Sequence, residues 1–273
     1  MEMNSFYRQY QPSGVLTAFV ECYWVWQGLA LPARTERLIP GGRVEMIFNL
    51  GDGIQWLMDG AGDPGCVLSG AHIMGQRDRV FFCRPQGQIR LLGVRFRPGC
   101  FAAFSPIPLH LLLNQLVPAA DLFGPAVGDW HQRLGALAED DERIGLLDLL
   151  LYRALAGSAS IPVLAALATL RRVDGVSVES ICEGAGWGYK RMERAFLREV
   201  GYTPKTYSRV VRFNKAIRRM GGPASLTTVG HVCGYYDQAH FIKDFSHFAG
   251  MTPGQFRLEE NSVAEFLIRH QAV

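Results

Sequence analysis

The sequence contains no uncharged apolar run as long as the ~18 residues that a membrane-spanning helix needs. It also lacks a basic N-terminal region followed by an apolar stretch, so we expect no secretion signal, no membrane partner and a cytoplasmic protein. Its six cysteines form no Cys-x-x-Cys pair, and none lies near a histidine at zinc-finger spacing. We therefore expect reduced thiols and no metal site.

Lysine is absent from the first 160 residues, which contain 13 arginines and 15 acidic residues. Residues 161–260 contain 14 basic and nine acidic residues. A mildly acidic N-terminal part and a basic C-terminal part indicate two regions with different functions. The basic charge of the second favours an anionic partner. At 273 residues the chain exceeds the size at which one hydrophobic core usually suffices, so we expect two domains.

The first hundred residues consist of short aromatic and β-branched runs separated by Gly, Pro and Asp. The runs predict strands at 19–27, 44–50, 54–58, 66–74, 80–84 and 88–96. Gly51-Asp52-Gly53 predicts a hairpin between the second and the third of these strands. The strands predict a β-rich, barrel-like domain with a trailing amphipathic helix over 140–156. A small-residue linker at 157–160 then separates domains of residues 1–157 and 161–260.

From residue 161 onward the apolar spacing predicts helices only, which makes the whole chain an α+β protein of two domains. The predicted helices span 162–172, 178–184, 189–200, 204–220, 226–232 and 238–249, and a last one begins at 253. Ser177, Thr203, Ser225 and Asp237 are predicted N-caps. The phrase Gly-Tyr-Thr-Pro-Lys-Thr-Tyr at 201–207 returns 49 residues later as Gly-Met-Thr-Pro-Gly-Gln-Phe, which indicates an internal duplication.

Each copy consists of a short helix, a tight glycine-containing turn and a longer helix, which is the helix-turn-helix pattern. The longer helices bury Met192 with Phe196, and Phe241 with Phe245, at four-residue spacing. Their opposite faces are polar and basic, as a helix that lies in a DNA major groove requires. A helical hairpin with a solvated polar face is the alternative, but two basic copies in tandem favour DNA.

Residues 161–258 resemble the DNA-binding domain of the AraC/XylS family of bacterial transcription regulators. The resemblance is carried by 176–188, 192–204, 212–216, 225–230, 234–245 and, most specifically, Gly-Met-Thr-Pro-Gly-Gln-Phe-Arg at 250–257. It implies two helix-turn-helix units, bridged by one long helix, that read two successive major-groove segments of double-stranded DNA. It also makes RNA polymerase a candidate partner. The chain departs from the family pattern at Gly188, at Gly230 and at Tyr235-Tyr236-Asp237.

Matched position by position, the resemblance implies base contacts from Lys190, Glu193 and Arg194 in the first reading helix. In the second reading helix it implies Ala239, His240 and Lys243. Arg198 and Gln238 are then expected to contact phosphate or solvent. The DNA-binding candidates are the exposed positions of both helices: Lys190, Arg191, Glu193, Arg194, Arg198, Gln238, Ala239, His240 and Lys243.

The front region has phrases at 38–51 and 93–99 that resemble an uncharacterised N-terminal domain of some such regulators. Family members commonly carry a cupin-like domain there that senses a ligand or dimerises, which makes a small-molecule effector and a second copy candidate partners. Arg43 and Glu45 share one strand face, and Trp56 lies nearby in sequence. The effector-binding candidates are Arg43, Glu45, Trp56, Arg77 and Arg95. An internal salt bridge among core aromatics is the alternative.

The sequence shows no catalytic constellation. It has no Gly-x-Ser-x-Gly motif, and His72 has few partners for a metal shell, so we expect a structural histidine and neither an enzyme nor a cofactor. We expect a sequence-specific transcription regulator, modulated by a small molecule or by dimerisation. Two alternatives stay open: a small barrel enzyme fused to a DNA-binding module, and a scaffold whose duplicated helices bind protein.

Overall fold

The computed structural model describes residues 6–30, 35–57, 65–173 and 175–258. These residues form eight strands: β1 (Phe6–Tyr10), β2 (Val20–Leu29), β3 (Glu36–Leu38), β4 (Glu45–Leu57), β5 (Cys66–Met74), β6 (Phe81–Pro85), β7 (Gln88–Phe96) and β8 (Leu116–Pro118). They also form ten α-helices: α1 (Ala120–Phe123), α2 (Ala126–Ala136), α3 (Asp140–Ala154), α4 (Ile161–Arg172), α5 (Val178–Gly184), α6 (Tyr189–Glu199), α7 (Pro204–Met220), α8 (Leu226–Val232), α9 (Gln238–Ala249) and α10 (Pro253–Leu258). The predicted α+β class, with strands first and helices afterwards, is confirmed.

The strands form one antiparallel sheet in the order β1-β2-β7-β4-β5-β8, and β6 joins the end of β4 to β3. Alternate residues of β2 bury on opposite faces, as the period of a strand requires. Tyr23 and Val25 pack with α2 and α3 in one cluster. Trp24 and Trp26 pack in a second cluster on the other face. The sheet therefore has an apolar cluster on each side.

The predicted hairpin at Gly51-Asp52-Gly53 is wrong, because β4 continues through these residues as one long strand. The side-chain amide of Asn49 donates to the backbone oxygens of Asp52 and Leu68, at 2.8 and 3.0 Å. The pairing with β5 shifts register between Asn49 and Ile54, which makes this a bulge. Gly51 is needed there because a Cβ atom would collide with the backbone of β7 at Gln88.

Strands β1, β3 and β8 were not predicted from the sequence. β3 and β8 have three residues each, and β1 pairs on one side only, so none of them produces a long alternating pattern. The trailing helix α3 ends at Ala154, two residues before the predicted end. Residue 58, the last of one predicted strand, lies outside the described residues.

Helices α4 to α10 pack in one apolar cluster around α7, which contacts α4, α6, α8 and α9. The predicted helices agree with the observed bounds to within one residue. The four predicted N-caps are confirmed, because each side chain accepts a hydrogen bond from the backbone N–H three residues later: Ser177, Thr203, Ser225 and Asp237.

The sheet region, β1 to α3, contacts the helical region, α4 to α10, at the ends of two helices. A guanidinium nitrogen of Arg37 donates to the backbone oxygen of Ala249, at 2.9 Å, where α9 ends. The hydroxyl of Tyr202, just after α6, donates to the backbone oxygen of Arg77. Ile39 also lies in the helical cluster. The division into residues 1–157 and 161–260 stays a prediction.

A substitution at Gly93 of β7 tests the packing on the sheet face that carries Trp24 and Trp26. A Cβ atom at this buried position would overlap the ring of Trp24. We expect Gly93→Ala to lower the free energy of unfolding by about 1–3 kcal/mol, as overpacked cores do. Gly145→Ala is the matched control, because Gly145 is exposed on α3 with no atom near its missing side chain.

Urea unfolding followed by circular dichroism measures both variants. The control is expected to gain up to about 1 kcal/mol from the better helix propensity of alanine. A Gly93→Ala protein as stable as the wild type would contradict the close approach of Trp24.

Candidate nucleic-acid interface

The first helix-turn-helix unit consists of α5 and α6. Its turn has Gly186 in the left-handed conformation, with φ of 64°, which glycine adopts without strain. The backbone N–H of Trp187 donates to the oxygen of Cys182 at 2.9 Å and closes the turn. Met192 and Phe196 are buried, so α6 turns its other side outward.

The second unit, α8 and α9, repeats this geometry. Gly234 has φ of 79°, and the backbone N–H of Tyr235 donates to the oxygen of Gly230 at 3.1 Å. This hydrogen bond spans five residues, as the one in the first turn does. Phe241 and Phe245 are fully buried. The duplication in the sequence therefore corresponds to two units with the same turn.

Two arginines of α7 hold the second unit in place. Arg209 contacts Asp244 of α9 through Nε at 3.0 Å and Nη2 at 2.6 Å, and Asp244 is buried. Arg212 donates to the backbone oxygen of Gly234 at 3.0 Å and lies over the ring of Tyr235. This role was not predicted, because nothing in the local sequence pattern links α7 to a carboxylate 35 residues away.

The outer face of α6 carries four exposed cations: Lys190, Arg191, Arg194 and Arg198. Arg191 lies over the ring of Trp187 at 4.2 Å from the ring centroid, which supports its side chain. Arg194 donates from Nε to the backbone oxygen of Lys190 and makes no ion pair with any described carboxylate. Glu193 is half-buried and accepts from the hydroxyl of Tyr189. The structure thus brings the five candidates of the first unit onto one helix.

The outer face of α9 is less basic. Gln238, Ala239 and Lys243 are exposed, whereas His240 is half-buried and packs edge-on against Tyr235. Tyr236, next to the N-cap, is 92% exposed and was not predicted as a contact residue. An aromatic residue directly before the N-cap Asp237 is the signal in the sequence that marks this position.

The five effector candidates have different partners in the described structure. Glu45 forms a 2.6 Å ion pair with Arg95, which is only 2% exposed, whereas Arg43 pairs with Glu21 at 2.7 Å. Trp56 lies in the apolar cluster that contains Trp24 and Trp26, and Arg77 donates to the backbone oxygen of Ile39. Of the five, only Arg43 lines the cavity of about 710 Å³ beside α4 and α7.

The part of the chain that the structure describes contains no group of three or more His, Cys, Asp or Glu that could hold a metal ion. Burial raises the pKa of the Cys22 and Cys100 thiols to about 11 and that of Cys83 to about 12. These thiols are therefore protonated at neutral pH and poor nucleophiles. Within the described ranges, no helix combines the length and the apolar character needed to cross a bilayer.

Residues 181–259 match a family model described as a helix-turn-helix domain. The C-terminal region is a helix-turn-helix domain of the AraC type. The protein that carries this AraC-type domain is a DNA-binding transcription regulator. Residues 8–118 match a domain of unknown function, DUF6597, ahead of it. A regulator of this kind is not normally an enzyme.

Two crystal structures of ToxT from Vibrio cholerae illustrate the likeness to solved proteins. One is 10% identical, with 86% of this chain and 97% of that chain covered and a TM-score of 0.47. The other, bound to (E)-4-(8-methylnaphthalen-1-yl)but-3-enoic acid, is 9% identical, with 85% and 96% covered and a TM-score of 0.48. At this level the likeness carries no argument about function. A search of curated protein sequences finds no match.

Tyr235 stands where the AraC/XylS pattern has Phe, and its buried hydroxyl has no hydrogen-bond partner among the described residues. A buried polar group without a partner destabilises a protein. We expect Tyr235→Phe to raise the free energy of unfolding by about 1–2 kcal/mol. Tyr236→Phe, at the exposed neighbour, is the control and should change it by less than about 0.5 kcal/mol.

Thermal and urea unfolding of both variants provide the comparison. A Tyr235→Phe protein less stable than the wild type would mean that the hydroxyl makes a stabilising hydrogen bond, and would contradict an unsatisfied Tyr235 in the second turn.

Proposed function

We propose that the protein regulates transcription by placing α6 and α9 in two successive major-groove segments of one DNA duplex. The observation that carries this proposal is the pair of equivalent helix-turn-helix units that both contact α7. A single helix with one buried face that contacts both units would hold the two reading helices at a constant separation. Two rigidly spaced helices favour a recognition site of two segments, about one helical turn or 10 base pairs apart.

The candidate side chains of α6 and α9 have two proposed roles: contacts to base edges and contacts to phosphates. Lys190, Glu193 and Arg194 in α6, and Ala239, His240 and Lys243 in α9, are the proposed base contacts. Arg191, Arg198 and Gln238 are the proposed phosphate contacts. The first unit then supplies more hydrogen-bonding groups than the second, because alanine offers only a methyl group to a thymine methyl.

The sheet region is the proposed place of regulation, by a small molecule or by dimerisation with a second copy. Support comes from its contacts to both reading helices: Tyr202 follows α6, and Arg37 bonds to the last residue of α9. A change in the sheet region can therefore reach the helical region at both of these points. A cytoplasmic location and contact with RNA polymerase complete the proposal.

Hydroxyl-radical footprinting of the full-length protein on its selected binding site tests the two-segment model. We expect two protected segments centred about 10 base pairs apart. We also expect affinity to fall steeply between about 50 and 200 mM salt, because several phosphate contacts release counterions. One protected segment, or an affinity independent of salt, would refute simultaneous reading by both units.

Arg194 and Arg198 separate base reading from phosphate contact within one helix. Arginine pairs through its forked guanidinium with O6 and N7 of guanine. We expect Arg194→Ala to cost about 1–3 kcal/mol on the cognate duplex and little on scrambled DNA. Arg198→Ala should weaken binding to both duplexes by the same factor.

Competition binding of each variant to cognate and scrambled duplexes decides between the roles. If Arg194→Ala lowers both affinities equally, Arg194 contacts phosphate and the base-reading assignment fails.

A further inference from the structure

A cavity of about 710 Å³ lies between the sheet region and helices α4 and α7. Arg43 and Arg97 line it from the sheet region, and five basic side chains of α4 and α7 line it from the other side, among them Arg171 and Arg218. No carboxylate of the described residues lines it. We call this cavity the basic cleft.

Three arginines of the basic cleft have no counter-charge among the described carboxylates. Arg43 is balanced by its ion pair with Glu21, but Arg171, Arg218 and Arg219 make no ion pair with any described carboxylate. Burial lowers the pKa of Arg218, and the positive charges of Arg43 and Arg171 lower it further. Like charges held together in a partly buried site cost free energy, which a bound anion would offset.

The cleft also contains an unsatisfied hydrogen-bonding group. Asn214 is only 4% exposed, lines the cleft, and has a buried amide oxygen with no partner among the described residues. Tyr207 and Val210 form an apolar wall beside it. A ligand that suits this lining carries several negative charges, a hydroxyl that donates to Asn214, and some apolar surface.

We propose that the basic cleft binds a small phosphorylated metabolite and that this ligand is the effector of the regulator. Arginine forks pair with phosphate in bidentate geometry, and a doubly charged phosphate balances more of the cluster than a single carboxylate does. The volume falls within the range of small-molecule sites. The effector role rests on the proposed function, whereas binding in the cleft does not.

The position of the cleft explains how the ligand acts on DNA binding. It touches the sheet region at Arg43 and Arg97, and it touches α7, which carries both helix-turn-helix units. A ligand that bridges them favours one arrangement of the two regions, and its differential affinity for that arrangement shifts the equilibrium. No described residue of α6 or α9 lines the cleft, which argues against a DNA-contacting role.

The binding test uses inorganic pyrophosphate as the probe and the full-length protein. Calorimetry at constant ionic strength compares the wild type with the Arg171→Gln/Arg218→Gln double variant. Arg153→Gln is the matched control, since Arg153 is an exposed arginine of α3 outside the cleft. We expect the double variant to bind pyrophosphate at least about 10-fold more weakly and the control to match the wild type. Citrate should bind the wild type at least about 10-fold more weakly than pyrophosphate.

Three results would overturn the binding assignment. They are no pyrophosphate binding by the wild type at millimolar concentration, an equal loss in Arg153→Gln, or an unchanged affinity in the double variant. Citrate binding as tight as that of pyrophosphate would overturn the phosphate class. The double variant should unfold at the same or a higher temperature than the wild type, because it removes charge repulsion, so a loss of binding would not reflect misfolding.

The DNA test measures affinity for the cognate duplex with and without pyrophosphate, with sulfate at equal ionic strength as the control. We expect pyrophosphate to change the affinity of the wild type at least about 3-fold and that of the double variant not at all. A double variant that binds every duplex more weakly without pyrophosphate would identify the cleft as a phosphate-contacting DNA surface and overturn the inference.

The experiments can refute the proposed function and the proposed effector site independently of each other. Specific DNA binding without any response to pyrophosphate would refute the effector role alone. Pyrophosphate binding in the cleft by a protein that prefers no DNA sequence would refute the proposed function and leave the binding site standing.

Discussion

Burial of α7 is the constraint on which the arrangement of the helical region depends. Tyr207, Val210, Phe213 and Ile217 are almost fully removed from solvent, and helices from both helix-turn-helix units pack on this one helix. Each fully buried side chain of this kind contributes roughly 1.5–3 kcal/mol. The same apolar contacts that stabilise the region therefore hold α6 and α9 at one separation, on which the proposed reading of two DNA segments depends.

Arginines in this protein fall into two classes that the net charge of +3 does not distinguish. Arg95, Arg143 and Arg209 each contact a carboxylate at 2.6 Å or less and contribute to the fold. Others, including Arg194 on α6 and Arg218 in the basic cleft, have no described carboxylate partner. The uncompensated class is the one available to anions, and it is divided between the outer face of α6 and the basic cleft.

Polar contacts join the sheet region to the helical region, beside the apolar packing of Ile39 in the helical cluster. Arg37 reaches the end of α9, Tyr202 reaches the backbone of Arg77, and the imidazole of His110 contacts the backbone oxygen of Leu197 at 3.3 Å. Contacts of this kind exchange protein partners for water at small net cost. They suit a joint between two regions that a ligand can tighten, in contrast to the apolar cluster around α7.

Local patterns in the sequence were sufficient to predict helices α3 to α10, four N-caps and the duplicated helix-turn-helix units, because apolar period and capping depend on residues a few positions apart. Asp237, for example, caps the backbone N–H of His240, only three residues away. The short helix α1 and the helix α2 were not predicted. Long-range packing determines that β4 runs through Gly51-Asp52-Gly53 and that Arg43 and Glu45 have different partners. It alone also assembled the basic cleft, because residues such as Arg43 and Arg218 are far apart in the chain and meet only when the sheet packs against α7.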